Sequence, residues 1–112
     1  ITISVSDDFA REVKRLAKKY RSFKNDYAEF LKSIKENPLQ GDEITKNIRK
    51  IRMAIGSKGK GKSGGARVIT FNILTDVQNG QVVLLLIYDK EDASTVKTNV
   101  VKQMVRDMGF DI

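Results

Sequence analysis

The run from Gly56 to Arg67, GSKGKGKSGGAR, limits the possible folds more than any other stretch. It holds five of the chain's eight glycines and separates two segments with strand character, RKIRMAI before it and RVITFNIL after it. Glycine frees the backbone to bring its N–H groups close to an anionic surface, and Lys58, Lys60, Lys62 and Arg67 supply positive charge alongside. The run reads as a phosphate-facing loop connecting two strands of a sheet. The same letters would also suit a solvated linker, and the neighbourhood separates the two readings.

That neighbourhood is one-sided in charge. Between Ile44 and Thr75 stand Lys46, Arg49, Lys50, Arg52, Lys58, Lys60, Lys62 and Arg67, with no Asp or Glu. The rest of the chain carries 13 basic against 14 acidic residues, so the net charge of +7 comes from this one segment. A basic patch on an otherwise balanced domain points to a polyanionic partner, nucleic acid first and acidic protein or membrane surface next. With neither cysteine nor histidine, the chain has no disulfides, no cysteine metal sites and no imidazole for acid–base catalysis. Its 112 residues suit one domain with one core. No apolar run reaches membrane-spanning length, and the opening ITISVSDDF lacks the basic and apolar regions of a signal peptide, so the expectation is a cytosolic protein.

The periodicities give an order of elements. Ile1, Ile3 and Val5 alternate as in a short strand, and Ser6 or Asp7 can cap a following helix. Phe9, Val13, Leu16, Ala17 and Tyr20 line one face of that helix, with Arg11, Lys14, Arg15, Lys18 and Lys19 on the other. Ser22 is the expected cap of a second helix, with Tyr27, Phe30, Leu31 and Ile34 as its apolar stripe and an end near Asn37, before Pro38. Leu39 to Lys46 reads as a loop. In Ile48–Ile55, Ile51, Met53 and Ile55 face one way and Lys50, Arg52 and Ala54 the other, which sends Arg52 to the open side of the sheet.

After the glycine loop, Arg67, Ile69, Phe71 and Ile73 share one side of the next strand. Asn79-Gly80 signals a hairpin, and Val82 to Tyr88, apolar on both faces, reads as a central strand. Asp92 or Ser94 is the expected cap of a last helix carrying Val96, Val100, Val101, Met104, Val105 and Met108 and stopped by Gly109. The fold class is therefore α+β: a small antiparallel sheet packed against an N-terminal helical hairpin, with a C-terminal helix and one comparatively open sheet face.

Residues 56–63, GSKGKGKS, match the nucleotide-binding pattern GxxxxGK[ST] letter for letter. A nucleotide loop of that kind requires a helix to begin at its Lys-Ser. Here Gly64-Gly65 and a β-branched run follow, which argues against nucleotide hydrolysis.

The strings KIRMAIGSKGKGKSGGARVITF and LLLIYDKED, with the helical hairpin before them, resemble the RelE/ParE superfamily of toxin–antitoxin toxins, and within it the HigB/RelE-like messenger-RNA interferases. The resemblance runs from about Phe9 to Met104. It implies a cytosolic bacterial toxin that cuts messenger RNA on the ribosome without a cofactor and is held inactive by a cognate antitoxin. It also implies a catalytic group of Arg67, Lys90, Lys62 and Lys60, and RNA contacts from Arg52, Lys58 and Lys50. Some members use a late tyrosine or histidine for stacking or acid chemistry; this chain has neither after Tyr88, which leaves Tyr88 as the candidate.

The chemistry suits this inventory. RNA carries its own nucleophile, the 2′-hydroxyl, and needs only orientation, a proton acceptor, charge stabilisation and a proton for the leaving oxygen. Crowded cations lower one another's pKa and could supply a neutral lysine as base. Two other readings share the fold: a ParE-like inhibitor of DNA gyrase and a non-catalytic binding module.

Overall fold

The computed structural model describes residues 1–76, 78–93 and 95–111. One five-stranded sheet runs β1 (Thr2–Val5), β5 (Gly80–Asp89), β4 (Ala66–Leu74), β3 (Ile48–Met53), β2 (Asp42–Thr45) from edge to edge. All pairings are antiparallel except β1 with β5, which is parallel. The α+β class, the N-terminal helix pair and the C-terminal helix are as the periodicities indicate. The sequence reading lacks β2: its four residues, DEIT, carry no alternation of their own and become a strand only by pairing with β3. No helix among the described residues is long and apolar enough to cross a membrane.

Helices α1 (Asp7–Lys19) and α2 (Phe23–Glu36) lie on one sheet face. Their Phe9, Leu16, Phe23, Phe30 and Ile34 pack on Ile51, Met53, Val68, Val82, Leu84 and Ile87. Ser6 caps α1, accepting from the Phe9 N–H at 3.0 Å, and its hydroxyl donates to the Leu85 carbonyl at 2.7 Å, so the cap also fastens the helix to β5. Pro38 ends α2 as expected, with Asn37 as its last cap.

The last helix, α4 (Thr98–Asp107), lies on the opposite face, its Val101 and Val105 covering Ile48, Ile69, Phe71, Val83 and Leu85. It begins later than expected. Lys97 occupies the cap position without a side-chain bond, Asp92 instead pairs with Arg15 at 2.8 Å, and Ser94 lies outside the described residues. Gly109, at φ 95°, follows the helix end, as its placement implies.

Two backbone details set up the site. The β4–β5 register jumps from Ile69 opposite Leu86 to Thr70 opposite Leu84, leaving Leu85 as an extra residue in β5. This bulge turns Ile87 to the α1–α2 face and Tyr88 to the α4 face, directly across from Arg67. The second detail is Gly65, where the glycine loop enters β4. A Cβ there would stand 2.1 Å from the Met53 carbonyl oxygen and 3.0 Å from the Ile55 nitrogen, while the Gly65 carbonyl accepts the Lys90 N–H at 3.0 Å. Gly65→Ala is expected to lower the unfolding free energy by about 1–3 kcal/mol, the usual cost of overpacking. Urea denaturation measures it, and an unchanged midpoint would contradict the close approach.

Candidate nucleic-acid interface

Strand alternation places the basic side chains. Lys50 and Arg52 leave β3 on the side opposite the buried Ile51 and Met53, and Arg67 faces Arg52 across the β3–β4 pair. Lys90 follows β5. Lys50, Arg52, Arg67 and Lys90 line one cleft of about 260 Å³, together with Asp42 and Ile44. Lys62 joins Lys50, Arg52 and Asp42 around an adjoining cleft of about 380 Å³. Five of the eight residues singled out in the sequence thus meet around one groove. Facing arginines on adjacent strands repel each other, so their juxtaposition costs stability and suits a site for an anion.

Arg67 sits at the floor of this groove and is only 6% exposed. Its guanidinium donates to the carbonyls of Lys62 and Ala66, each at 3.2 Å, and of Ser63 at 3.0 Å. Part of the donor fork expected for phosphate is therefore spent on the backbone of α3 (Gly61–Gly64) and the entry to β4. The charge still reaches the cleft. Arg67→Ala would therefore also release three backbone carbonyls, those of Lys62, Ser63 and Ala66. The more exposed Arg52 and Lys90 are cleaner probes.

Three expected site residues lie elsewhere. The Lys58 side chain is 3% exposed, with its ammonium 2.7 Å from the Asp89 carboxylate, 3.4 Å from Glu91 and 5.4 Å from the centre of the Tyr20 ring. It anchors the loop and lines neither basic cleft. Asp89 is fully buried and also accepts from the Tyr20 hydroxyl and, at 3.0 Å, from the Glu91 N–H.

Burial alone would push the Asp89 carboxyl up; the bonds from Lys58, Tyr20 and the Glu91 backbone outweigh it and hold the group well below the usual carboxylate range. For Lys58, burial opposes the charged amine, but Asp89 and Glu91 outweigh it and raise its pKa, the reverse of what a neutral base requires. Asp89 therefore adds stability above the ordinary carboxylate pKa of about 3.9, lost as acid protonates it. Lys58 adds stability below about 10.4, lost as alkali deprotonates it.

Lys60 is exposed and turns to Glu91 at 3.4 Å. Tyr88 is 8% exposed and packs in the α4-side core, so it offers no open ring for stacking. Burial, partly offset by Arg67, raises its pKa and keeps the phenol protonated.

A second anchor also departs from expectation. Ser22 stands at the start of α2, but its hydroxyl makes no cap bond. It donates to Asp26 at 2.7 Å and accepts the Ser57 N–H at 2.8 Å, while Asp26 accepts the Gly56 N–H at 2.9 Å. The loop's first turn, Gly56–Lys58, is thus held to the α1–α2 corner and to β5. The helix that a nucleotide loop needs at Lys62-Ser63 is a single turn, α3, with β4 directly after it. Asp42, in a stretch that by its letters reads as a loop and becomes a strand only beside β3, brings a carboxylate into the basic groove. No protein-family model matches the chain.

Two loop lysines four residues apart are expected to behave differently on substitution. Lys58→Met should lower the unfolding free energy at neutral pH by about 2 kcal/mol, since it removes the nearer cation of a buried carboxylate and leaves the more exposed Lys19, 3.4 Å away, as its ion-pair partner. The deficit should narrow as pH falls, because without Lys58 the buried Asp89 takes up its proton at a higher pH than in the wild type. Lys62→Met should shift stability by less than about 0.5 kcal/mol. Denaturant melts across pH measure both, and equal effects would contradict the division between anchor and surface.

Proposed function

We propose that the chain is an endoribonuclease toxin of the RelE/ParE type, acting on messenger RNA at the ribosome, in the cytoplasm, and neutralised by a cognate antitoxin. The observation that carries this reading is the convergence of Lys50, Arg52, Lys62, Arg67 and Lys90 on one groove. These cations come from two strands, the loop and the end of a third strand. The KGKGKSGGAR and YDK strings that resemble the family supply several of them. An acidic antitoxin segment laid over the groove would neutralise it by the same charge complementarity that attracts RNA.

The chemistry follows from the groups present. A phosphodiester in the groove meets Arg52, Lys90 and the charge of Arg67, which stabilise the non-bridging oxygens as the 2′-hydroxyl attacks phosphorus. Asp42 can accept the 2′-hydroxyl proton, and it lies beside Lys50 across the β2–β3 pair. Lys62 or Lys90 can protonate the departing 5′-oxygen. The products are a 2′,3′-cyclic phosphate and a 5′-hydroxyl, with no metal required because RNA brings its own nucleophile.

A non-catalytic binding module of the same fold is favoured by two details, the burial of Tyr88 and the partial commitment of Arg67 to loop carbonyls. One assay separates the readings. Purified protein added to ribosomes translating a defined messenger should give RNA ends bearing cyclic phosphate. Arg52→Ala and Lys90→Ala should each slow cleavage about 100-fold or more, with stability changed by less than about 0.5 kcal/mol. Tight RNA binding with intact transcripts would select the binding module, and cleavage undiminished in both variants would remove the groove from the mechanism.

A further inference from the structure

Arg52 borders a third concavity besides the two basic clefts. Strand β2 pairs with β3 only as far as Asp42 opposite Lys50, so from Ile51 onward the outer edge of β3 has no strand beside it among the described residues. A cavity of about 260 Å³ opens there, between that edge and α2. Arg52 and Lys62 stand at its junction with the phosphate groove, because each lines both. Its floor is apolar, from Phe30, Met53 and Ala54. This is the ordinary composition of a small-ligand site, below the roughly 300–1,000 Å³ of drug-sized pockets and suited to one planar ring system.

The polar groups on its wall are not equivalent. Asp26 is engaged by Gly56 and Ser22. Ser33 donates to the Phe30 carbonyl at 2.7 Å and accepts from the Gln40 amide at 3.2 Å, so both side chains are fixed. Glu29 differs: it lines the same cavity, and among the described residues no hydrogen bond or ion pair engages its carboxylate, even with Arg52 and Lys62 lining the same cavity.

We infer that this cavity is a nucleobase pocket, that it takes the base of a nucleotide whose phosphate rests on Arg52 and Lys62, and that Glu29 makes it select guanine. The inference rests on the reading of the groove as an RNA site and adds a specificity determinant to it. Unpaired RNA bases are held by stacking on apolar, aromatic or guanidinium planes and read along their Watson–Crick edges. A carboxylate only accepts hydrogen bonds. Guanine presents two adjacent N–H donors on that edge, one for each carboxylate oxygen; adenine and cytosine offer one amino group beside an acceptor, and uracil a single N–H between two carbonyls. Phosphate on the cations and donors on the carboxylate place opposite charges of one nucleotide on opposite charges of the protein.

The test uses the intact chain, ¹⁵N-labelled, titrated with 5′-GMP, 5′-IMP, 5′-AMP, 5′-CMP, 5′-UMP and inorganic phosphate. The amides of Ser33, Gln40 and Ala54 report on the pocket. GMP should perturb them and bind roughly tenfold more tightly than the others, including IMP, which lacks the 2-amino group. Inorganic phosphate should shift Arg52 and Lys62 and leave the pocket amides unmoved. Glu29→Gln, a change at an exposed position of α2, should bring the five nucleotides within twofold of one another. Equal binding of all nucleotides to the wild type, or a GMP preference that survives Glu29→Gln, would overturn the inference. Because the titration needs no cleavage, the two claims separate. A GMP-selective pocket in a protein that leaves RNA intact keeps this inference and removes the catalytic reading. Cleavage without base preference, unaltered by Glu29→Gln, does the reverse.

Discussion

The buried carboxylate of Asp89 is the interaction on which the arrangement depends. It ends β5, and from there it holds Lys58 of the glycine loop, Tyr20 at the end of α1 and the backbone at Glu91. A lone charge in that position would be prohibitive, and a paired one with its remaining lone pairs filled is tolerated only if every partner is in place. The demand for partners fixes where the loop begins. Asp26 and Ser22 fasten the same turn from the helical corner, and Arg67 fastens the loop's far end through its carbonyls. A glycine-rich segment that would otherwise sample many conformations is thereby held at both ends, and Lys62 is delivered to the groove.

Strand geometry makes this anchoring compatible with an open cationic surface. Asp89 points to the α1 side, while its neighbour Tyr88 points to the α4 side and Lys90 lines the groove. Alternation thus separates structural charge from surface charge within three consecutive residues. The cost appears where Arg52 faces Arg67. Sheets avoid like charges in directly opposed positions, and here the carbonyls around Arg67 and the solvent around Arg52 reduce the repulsion without removing it. Local conflicts of this kind concentrate at functional sites. Their relief by a bound polyanion would add to its affinity.

Much of the fold is legible in the letters because local pattern and tertiary demand agree. Alternation in β3 sent Arg52 outward, the doubly apolar run placed β5 inside the sheet, and Ser6, Pro38 and Gly109 marked helix boundaries. What stayed hidden is decided by partners far away in sequence. β2 exists through β3, the parallel pairing of β1 spans most of the chain, and the Leu85 bulge appears only in the β4–β5 register. The site divides in the same way. Lys58, Lys60 and Lys62 are equivalent in the string KGKGK, and only Asp89, 31 residues beyond Lys58, makes one of them an anchor. Ser22 has the local signature of a cap, yet its hydroxyl serves the loop.

The central claim is a partition of lysines: Lys50, Lys62 and Lys90 face the polyanion, and Lys58 holds the loop. Acetylation footprinting followed by mass spectrometry, with and without an RNA made uncleavable by a 2′-deoxy substitution, tests it most directly. The account predicts that bound RNA slows modification of Lys50, Lys62 and Lys90, that Lys14 and Lys18 on α1 keep their rates, and that Lys58 is slow in both samples. Rapid modification of Lys58 in the free protein and its protection by RNA, with Lys50 and Lys90 unaffected, would contradict it.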